Sequence, residues 1–136
     1  CPANKVAMFY VISRVGTYVL GIQSGRCVVV YALNVFNFIE GQENDYKEYS
    51  VKAGKIIYGK GGRVISSGWN PIRELRGDIK RRHMIVVEFP SEQVFQEFLD
   101  EAEKDDIHRL RENSTADYIW TLYEPWDMRE WVKHSK

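Results

Sequence analysis

Between Arg82 and Phe89 the chain alternates with a period of two, and Glu88 is the one carboxylate inside the run. Met84, Val86 and Glu88 point one way; Ile85, Val87 and Phe89 point the other. Pro90 stops this strand and Ser91 stands where a helix cap belongs. Behind it Val94, Phe95, Phe98, Leu99 and Ala102 recur at helical spacing and make an apolar stripe. One helix covers one face of a strand. The face bearing Met84 and Val86 needs a different cover.

The same reading extends to the rest of the chain. Val6 to Ser13 alternates (Val6, Met8, Tyr10, Ile12), Gly16 marks a turn before Thr17 to Ile22, and Gln23-Ser24-Gly25 reads as another turn. Cys27 to Phe38 is a long β-branched and aromatic run, the strongest candidate for a central strand. Glu40 to Asn44 is polar and loop-like. Asp45 can cap a helix with Glu48 as its capping-box partner, and Tyr46, Tyr49, Ala53, Ile56 and Ile57 form the buried stripe. Gly59, Gly61 and Gly62 end it.

Arg63 to Trp69 is the next strand, and Asn70-Pro71 opens a polar hairpin loop reaching Lys80. After the helix capped by Ser91, a further turn carries Ile107 and Leu110. Asp117 to Tyr123 is the last strand, Pro125 ends it, and Trp126 to His134 reads as a short terminal helix. From Cys27 to Tyr123 the order is β-α-β-β-α-β, the ferredoxin-like split βαβ arrangement of the α+β class. There an antiparallel sheet carries both helices on one face and leaves the other bare. Residues 1–26 read as an N-terminal hairpin or arm, 27–124 as the ferredoxin-like domain and 125–136 as a helical extension.

Composition narrows the classes of function. A chain of 136 residues has the length of one domain. Nineteen Lys and Arg balance 19 Asp and Glu, and a net charge of zero argues against bulk affinity for nucleic acid or an anionic membrane. Val6 to Ile22 is the longest apolar stretch, but Arg14 and Gly16 interrupt it and no basic leader precedes it. Neither a bilayer span nor a signal peptide is expected. Cys1 and Cys27 make no disulfide framework; a single bridge could join them, and the plainer reading is two free thiols in a reducing cytoplasm. Four Trp and eight Tyr have to sit in a core, an interface or a pocket.

Two known families share the predicted topology. RNA-recognition motifs carry K/R-G-F/Y-G/A-F-V-x-F/Y on the third strand of the domain, where this chain has Arg82-His83-Met84-Ile85-Val86-Val87-Glu88-Phe89. Met84 and Val86 replace the stacking aromatics, each worth about 1–3 kcal/mol per base. The second likeness is broader. Tyr46-Lys47-Glu48-Tyr49, Gly61-Gly62-Arg63, Arg81-Arg82, Ile85 through Ser91, and Leu110-Arg111 ahead of Ala116-Asp117 follow one another in order. In that order and spacing the chain resembles a small domain-of-unknown-function family of the dimeric α/β-barrel superfamily, which also holds the antibiotic-biosynthesis monooxygenases. The resemblance implies a homodimer whose two sheets face each other in a closed barrel, with no cofactor. It also implies a small apolar or aromatic ligand in the barrel, with or without monooxygenase- or isomerase-like chemistry.

Candidate chemistry is sparse. Glu88 shares the uncovered face with Met84 and Val86, and burial there raises a carboxylate's pKa unless a cation answers it. It is the candidate acid or base, with a rim ion pair as the plainer role; Arg63 and Arg82 are the cations available. Asn34 is an amide in an apolar strand and needs partners. Trp69, Tyr118 and Trp120, with Tyr31 and Tyr123, are candidates for the wall of an apolar cavity or for core and interface. Haem-degrading members of the superfamily use an Asn, a Trp and a His. Asn34, Trp120 and His108 stand in comparable elements here, although that pattern expects its Trp on the third strand. His83, His108 and His134 lack ligand spacing, so no metal site is expected. The expected site is therefore Glu88 with Asn34, Arg63, Arg82, Trp69, Trp120 and Tyr118, in a dimer that binds neither nucleic acid nor membrane. A single-stranded RNA binder or a purely structural protein are the alternatives.

Overall fold

The computed structural model of the chain describes residues 5–13, 16–25 and 28–135, with side chains from residue 28 onward. Cys1 and Cys27 lie outside the described residues. β1 (Lys5–Ser13) and β2 (Gly16–Gly25) pair antiparallel as a hairpin in a two-stranded sheet of their own. β2 runs through Gln23-Ser24-Gly25, where the sequence suggests a turn, because Ser24 and Gly25 find register partners in Val6 and Lys5.

The main sheet contains β3 (Val30–Phe38), β4 (Arg63–Gly68), β5 (His83–Phe89) and β6 (Thr115–Tyr123), in the order β4-β5-β3-β6 and antiparallel throughout. Side-chain alternation is plain on β3: Val30, Ala32, Asn34 and Phe36 are buried, and Tyr31, Leu33 and Val35 are half-buried. Register extends the two faces across the sheet. Val30 and Ala32 pair with Phe89 and Val87, while Leu33 and Val35 pair with Val86 and Met84.

The helices are α1 (Glu43–Gly59), α2 (Glu92–Lys104), α3 (His108–Ser114) and α4 (Met128–Lys133). Tyr49, Ala53 and Ile57 of α1 and Phe98 and Ala102 of α2 form one core with Val30, Ala32, Val87 and Phe89 of the sheet. Phe89 and Phe98 are 1 % exposed, and burying a side chain of that size contributes about 1.5–3 kcal/mol. Ser91 caps α2 as expected, its Oγ accepting from the Val94 N–H at 3.1 Å. α1 departs from expectation. It starts at Glu43, two residues before Asp45, and Gln42 makes no side-chain cap bond. Glu43 and Asp45 instead lie in the first turn, where carboxylates meet the positive end of the helix.

β6 also begins early, at Thr115, since Thr115 and Ala116 pair with Phe38 and Asn37. A register shift opposite Val35 and Asn37 leaves an extra residue on β6, and Asp117 takes a φ of +56° there. The α+β ferredoxin-like architecture expected from the pattern is the one observed, with both long helices packed on one face. Among the described residues, no helix is long and apolar enough to cross a membrane.

Candidate functional site

Asn34 and Trp120 are cross-strand partners on β3 and β6, on the face covered by the helices. Trp120 meets Phe95, Phe98 and His108 with ring centroids 5.5, 6.2 and 5.8 Å away. His108 opens α3 and also faces Tyr49 at 6.1 Å. In this aromatic layer Asn34 Oδ1, both ring nitrogens of His108 and Trp120 Nε1 are buried without a hydrogen-bond partner among the described residues. A buried polar atom left unpaired costs about 1–3 kcal/mol, so four in one layer mark a place suited to a polar ligand group.

A cleft of about 400 Å³ opens beside them between α2, α3 and β6. Leu99 and Trp120 give it an apolar wall, His108 and Arg111 a polar one, and Gln96 and Glu103 also line it. The Arg111 guanidinium lies over the rings of Tyr118 and Trp120, 4.6 and 5.2 Å from their centroids. Burial, and then the charge of Arg111, holds the His108 imidazole below its ordinary pKa, so its neutral form is favoured. Burial pushes the phenols of Tyr118 and Tyr49 upward, leaving both as neutral groups.

Glu88 lies elsewhere. It pairs across β5 with Tyr31 and Arg63, on the face opposite the helices. Arg63 Nε donates to Glu88 Oε2 at 2.5 Å, and this hydrogen bond and the carboxylate charge raise the Arg63 pKa. Arg63 is thus the cation that answers Glu88. Around the pair Tyr31, Leu33, Val35, Met84 and Val86 make a half-buried apolar strip, and no described helix covers it.

Trp69 and Arg82 occupy a third place, at the end of the sheet. Trp69 is largely exposed and leans on Phe38 and His83, 5.1 and 4.9 Å away. Burial lowers the His83 pKa against a raising hydrogen bond with the Trp69 backbone. The seven residues singled out from sequence are therefore not one constellation. Asn34, Tyr118 and Trp120 sit under the helices, Glu88 and Arg63 on the bare face, and Trp69 and Arg82 at the edge. Tyr31 and Tyr123 likewise face away from Trp120, so these aromatics do not wall a single cavity; alternation along each strand sends them to opposite sides. Sequence reasoning did not single out Arg111 as a site residue. The signal for it was present: His108 and Arg111 are three apart, hence neighbours on one helix face. No group of acidic, His or Cys side chains able to hold a metal occurs among the described residues.

The antiparallel sheet with helices on one side, and the cleft between them, define an α+β protein of ferredoxin-like class. Residues 30–122 match the family described as domain of unknown function (DUF1330), and the chain belongs to that family. No curated protein matches it. Among solved structures, a protein of unknown function from Rhodopseudomonas palustris is 20 % identical over 75 % of this chain and 85 % of its own, with a TM-score of 0.65. A dabb family protein with a ferredoxin-like fold from Mesorhizobium loti is 17 % identical over 73 % and 98 %, with a TM-score of 0.51. SnoaB, a cofactor-independent oxygenase from Streptomyces nogalater, is 11 % identical over 74 % and 95 %, also with a TM-score of 0.51. Likenesses at these identities speak for the fold alone.

Proposed function

We propose that the chain acts as a homodimer closed through its bare sheet faces, and that each subunit binds a small, largely aromatic molecule in the cleft between α2, α3 and β6. The observation that carries the binding is the set of unpaired buried atoms on Asn34, His108 and Trp120 beside that cleft. A flat apolar body fits against Leu99 and Trp120. A carbonyl or hydroxyl on it can accept from Trp120 Nε1–H and exchange a hydrogen bond with the neutral His108 imidazole, which offers one donor and one acceptor. Monooxygenase- or isomerase-like chemistry in this cleft would use His108 as its base. Glu88, on the other face, closes the rim of the dimer interface with Arg63.

The dimer rests on exposed apolar surface. Beyond the strip of Met84 and Val86, Ile119 and Tyr123 on the same face are 42 % and 50 % exposed. Ile72, Leu75, Trp131 and Val132 are exposed as well. Apolar side chains gathered on one sheet face, Leu33, Val35, Met84 and Val86 with Ile119 and Tyr123, are the kind of surface that marks an interface, and a standard interface removes roughly 800 Å² per partner. An RNA surface is the weaker use of this face, because Met84 and Val86 offer no ring for base stacking.

Thermal shift with a panel of neutral aromatic ketones and phenols tests the cleft. A compound at one hundred times its Kd stabilises by about 2.7 kcal/mol, so the wild type should show a clear rise in Tm with at least one compound. Leu99→Trp, which fills the cleft, should show none. A panel that leaves the wild type unmoved, or moves both proteins equally, contradicts the reading.

A further inference from the structure

A second built corner lies at the end of the bare sheet face, around the segment that leads into β5. Asn37 clamps that segment. Its Nδ2 donates to the Lys80 carbonyl at 2.8 Å and to Asp117 Oδ2 at 3.2 Å, while its Oδ1 accepts from the Arg82 backbone N–H at 2.9 Å. Arg81 Nε donates to the Asp117 carbonyl at 2.6 Å. Asp117 supports both contacts from the bulged part of β6, with a positive φ that an aspartate adopts only at a cost.

Beside the clamp is a pocket of about 300 Å³. Val35, Met84 and Pro71 form its apolar side, Arg81 and Arg82 its charged side, and no carboxylate lines it. Gly68 keeps the floor low, since a Cβ there would lie 3.2 Å from Met84 Cγ. Neither arginine has an ion-pair partner among the described residues. The Asp117 carboxylate is engaged by Asn37. The surroundings are basic too: residues 73–82 carry five cations (Arg73, Arg76, Lys80, Arg81, Arg82) against Glu74 and Asp78. In a chain of zero net charge, this local excess has to be balanced elsewhere.

We infer that this corner is an anion site, taking the carboxylate of a small molecule whose short apolar body rests on Val35, Met84 and Pro71. Arg82 supplies the charge and a planar fork that matches a carboxylate with two parallel hydrogen bonds. Arg81, held on the Asp117 carbonyl, is the positioning residue that keeps the pocket wall in place. The site is separate from the helix-side cleft, which opens on the other face of the sheet; it shares Val35 and Met84 with the strip that the proposed dimer closes, so in that dimer the ligand sits at the end of the interface, against Pro71 and the arginines.

Calorimetric titration of the full chain tests it, using benzoate, phenylacetate and hexanoate, each against its neutral amide. Only the backbone N–H of Arg82 enters the clamp, so Arg82→Gln leaves the fold alone. At least one acid should bind tenfold or more tightly than its amide. That preference should vanish in Arg82→Gln, survive in part in Arg82→Lys, and be unchanged in Leu99→Trp. The inference is overturned if no acid binds at millimolar concentration, if amides bind as well as acids, or if the preference survives Arg82→Gln. It is also overturned if Leu99→Trp removes the preference, which would move the anion to the helix-side cleft. None of these outcomes touches the binding of neutral ketones and phenols, so the two readings fail separately.

Discussion

Among the described glycines, Gly62 has the least room for a side chain. A Cβ at that position would lie 2.8 Å from Ile57 Cγ2 and 3.1 Å from the carbonyl oxygens of Ile57 and Glu88. Two of these neighbours are backbone and cannot swing aside. Gly62→Ala should therefore destabilise by about 1–3 kcal/mol, read from the denaturation midpoint; an unchanged midpoint would contradict the packing. The histidines set a pH dependence. Burial holds His83 and His108 below the ordinary value of 6.5, so each takes up a proton more readily in the unfolded chain. Stability should then fall as pH drops through 6.5 toward the folded values, and the loss should level off beneath them. His108→Gln should lose part of that acid-side slope in denaturation at pH 7.5 against 5.5; identical slopes would refute the burial argument. That Glu88 needs a cation was legible residue by residue, with Arg63 and Arg82 both available, as was the need of Asn34 for partners; the choice of Arg63 came from the pairing of β4 with β5. The meeting of Asn34 with Trp120 was not legible, because alternation divides a strand into two faces without saying which face the helices take.

Among the elements, α2 shows how local and tertiary terms agree. Ser91 caps it, and the stripe from Val94 to Ala102 turns Phe98 into the core. Ser91→Ala should cost about 1 kcal/mol, and Phe98→Ala about 3–5 kcal/mol, both measurable by chemical denaturation. A Phe98 variant as stable as the wild type would mean that this helix is not the roof of the core. At two strand ends that sequence patterns misplaced, a paired strand was the cause. Ala116 and Asp117 carry little strand preference, and the strand nevertheless reaches back to Thr115 because Phe38 and Asn37 pair with Thr115 and Ala116. Ser24 and Gly25 carry turn chemistry and are recruited by the hairpin. The bulge that holds Asp117 had no local signal at all, since it arises from the register between two strands distant in sequence.

For the whole molecule, the order of elements and the bare face could be read early because both follow from periodicity and from the number of helices available. The position of the cleft could not, because α3 joins His108 and Arg111 to Trp120 only once the chain is folded. Two unlike faces result: one carries an aromatic layer with unpaired polar atoms, the other an apolar strip edged by the Arg63–Glu88 pair. Placing a charge in that strip should separate the subunits and leave each one folded. Val86→Arg should thus keep the far-ultraviolet circular dichroism of the wild type while halving its mass in solution. The most direct test needs no variant. Sedimentation velocity of the wild-type chain at micromolar concentration should give a species of twice the mass of one chain, whereas a stable single chain, with Met84 and Val86 open to water, would contradict the account.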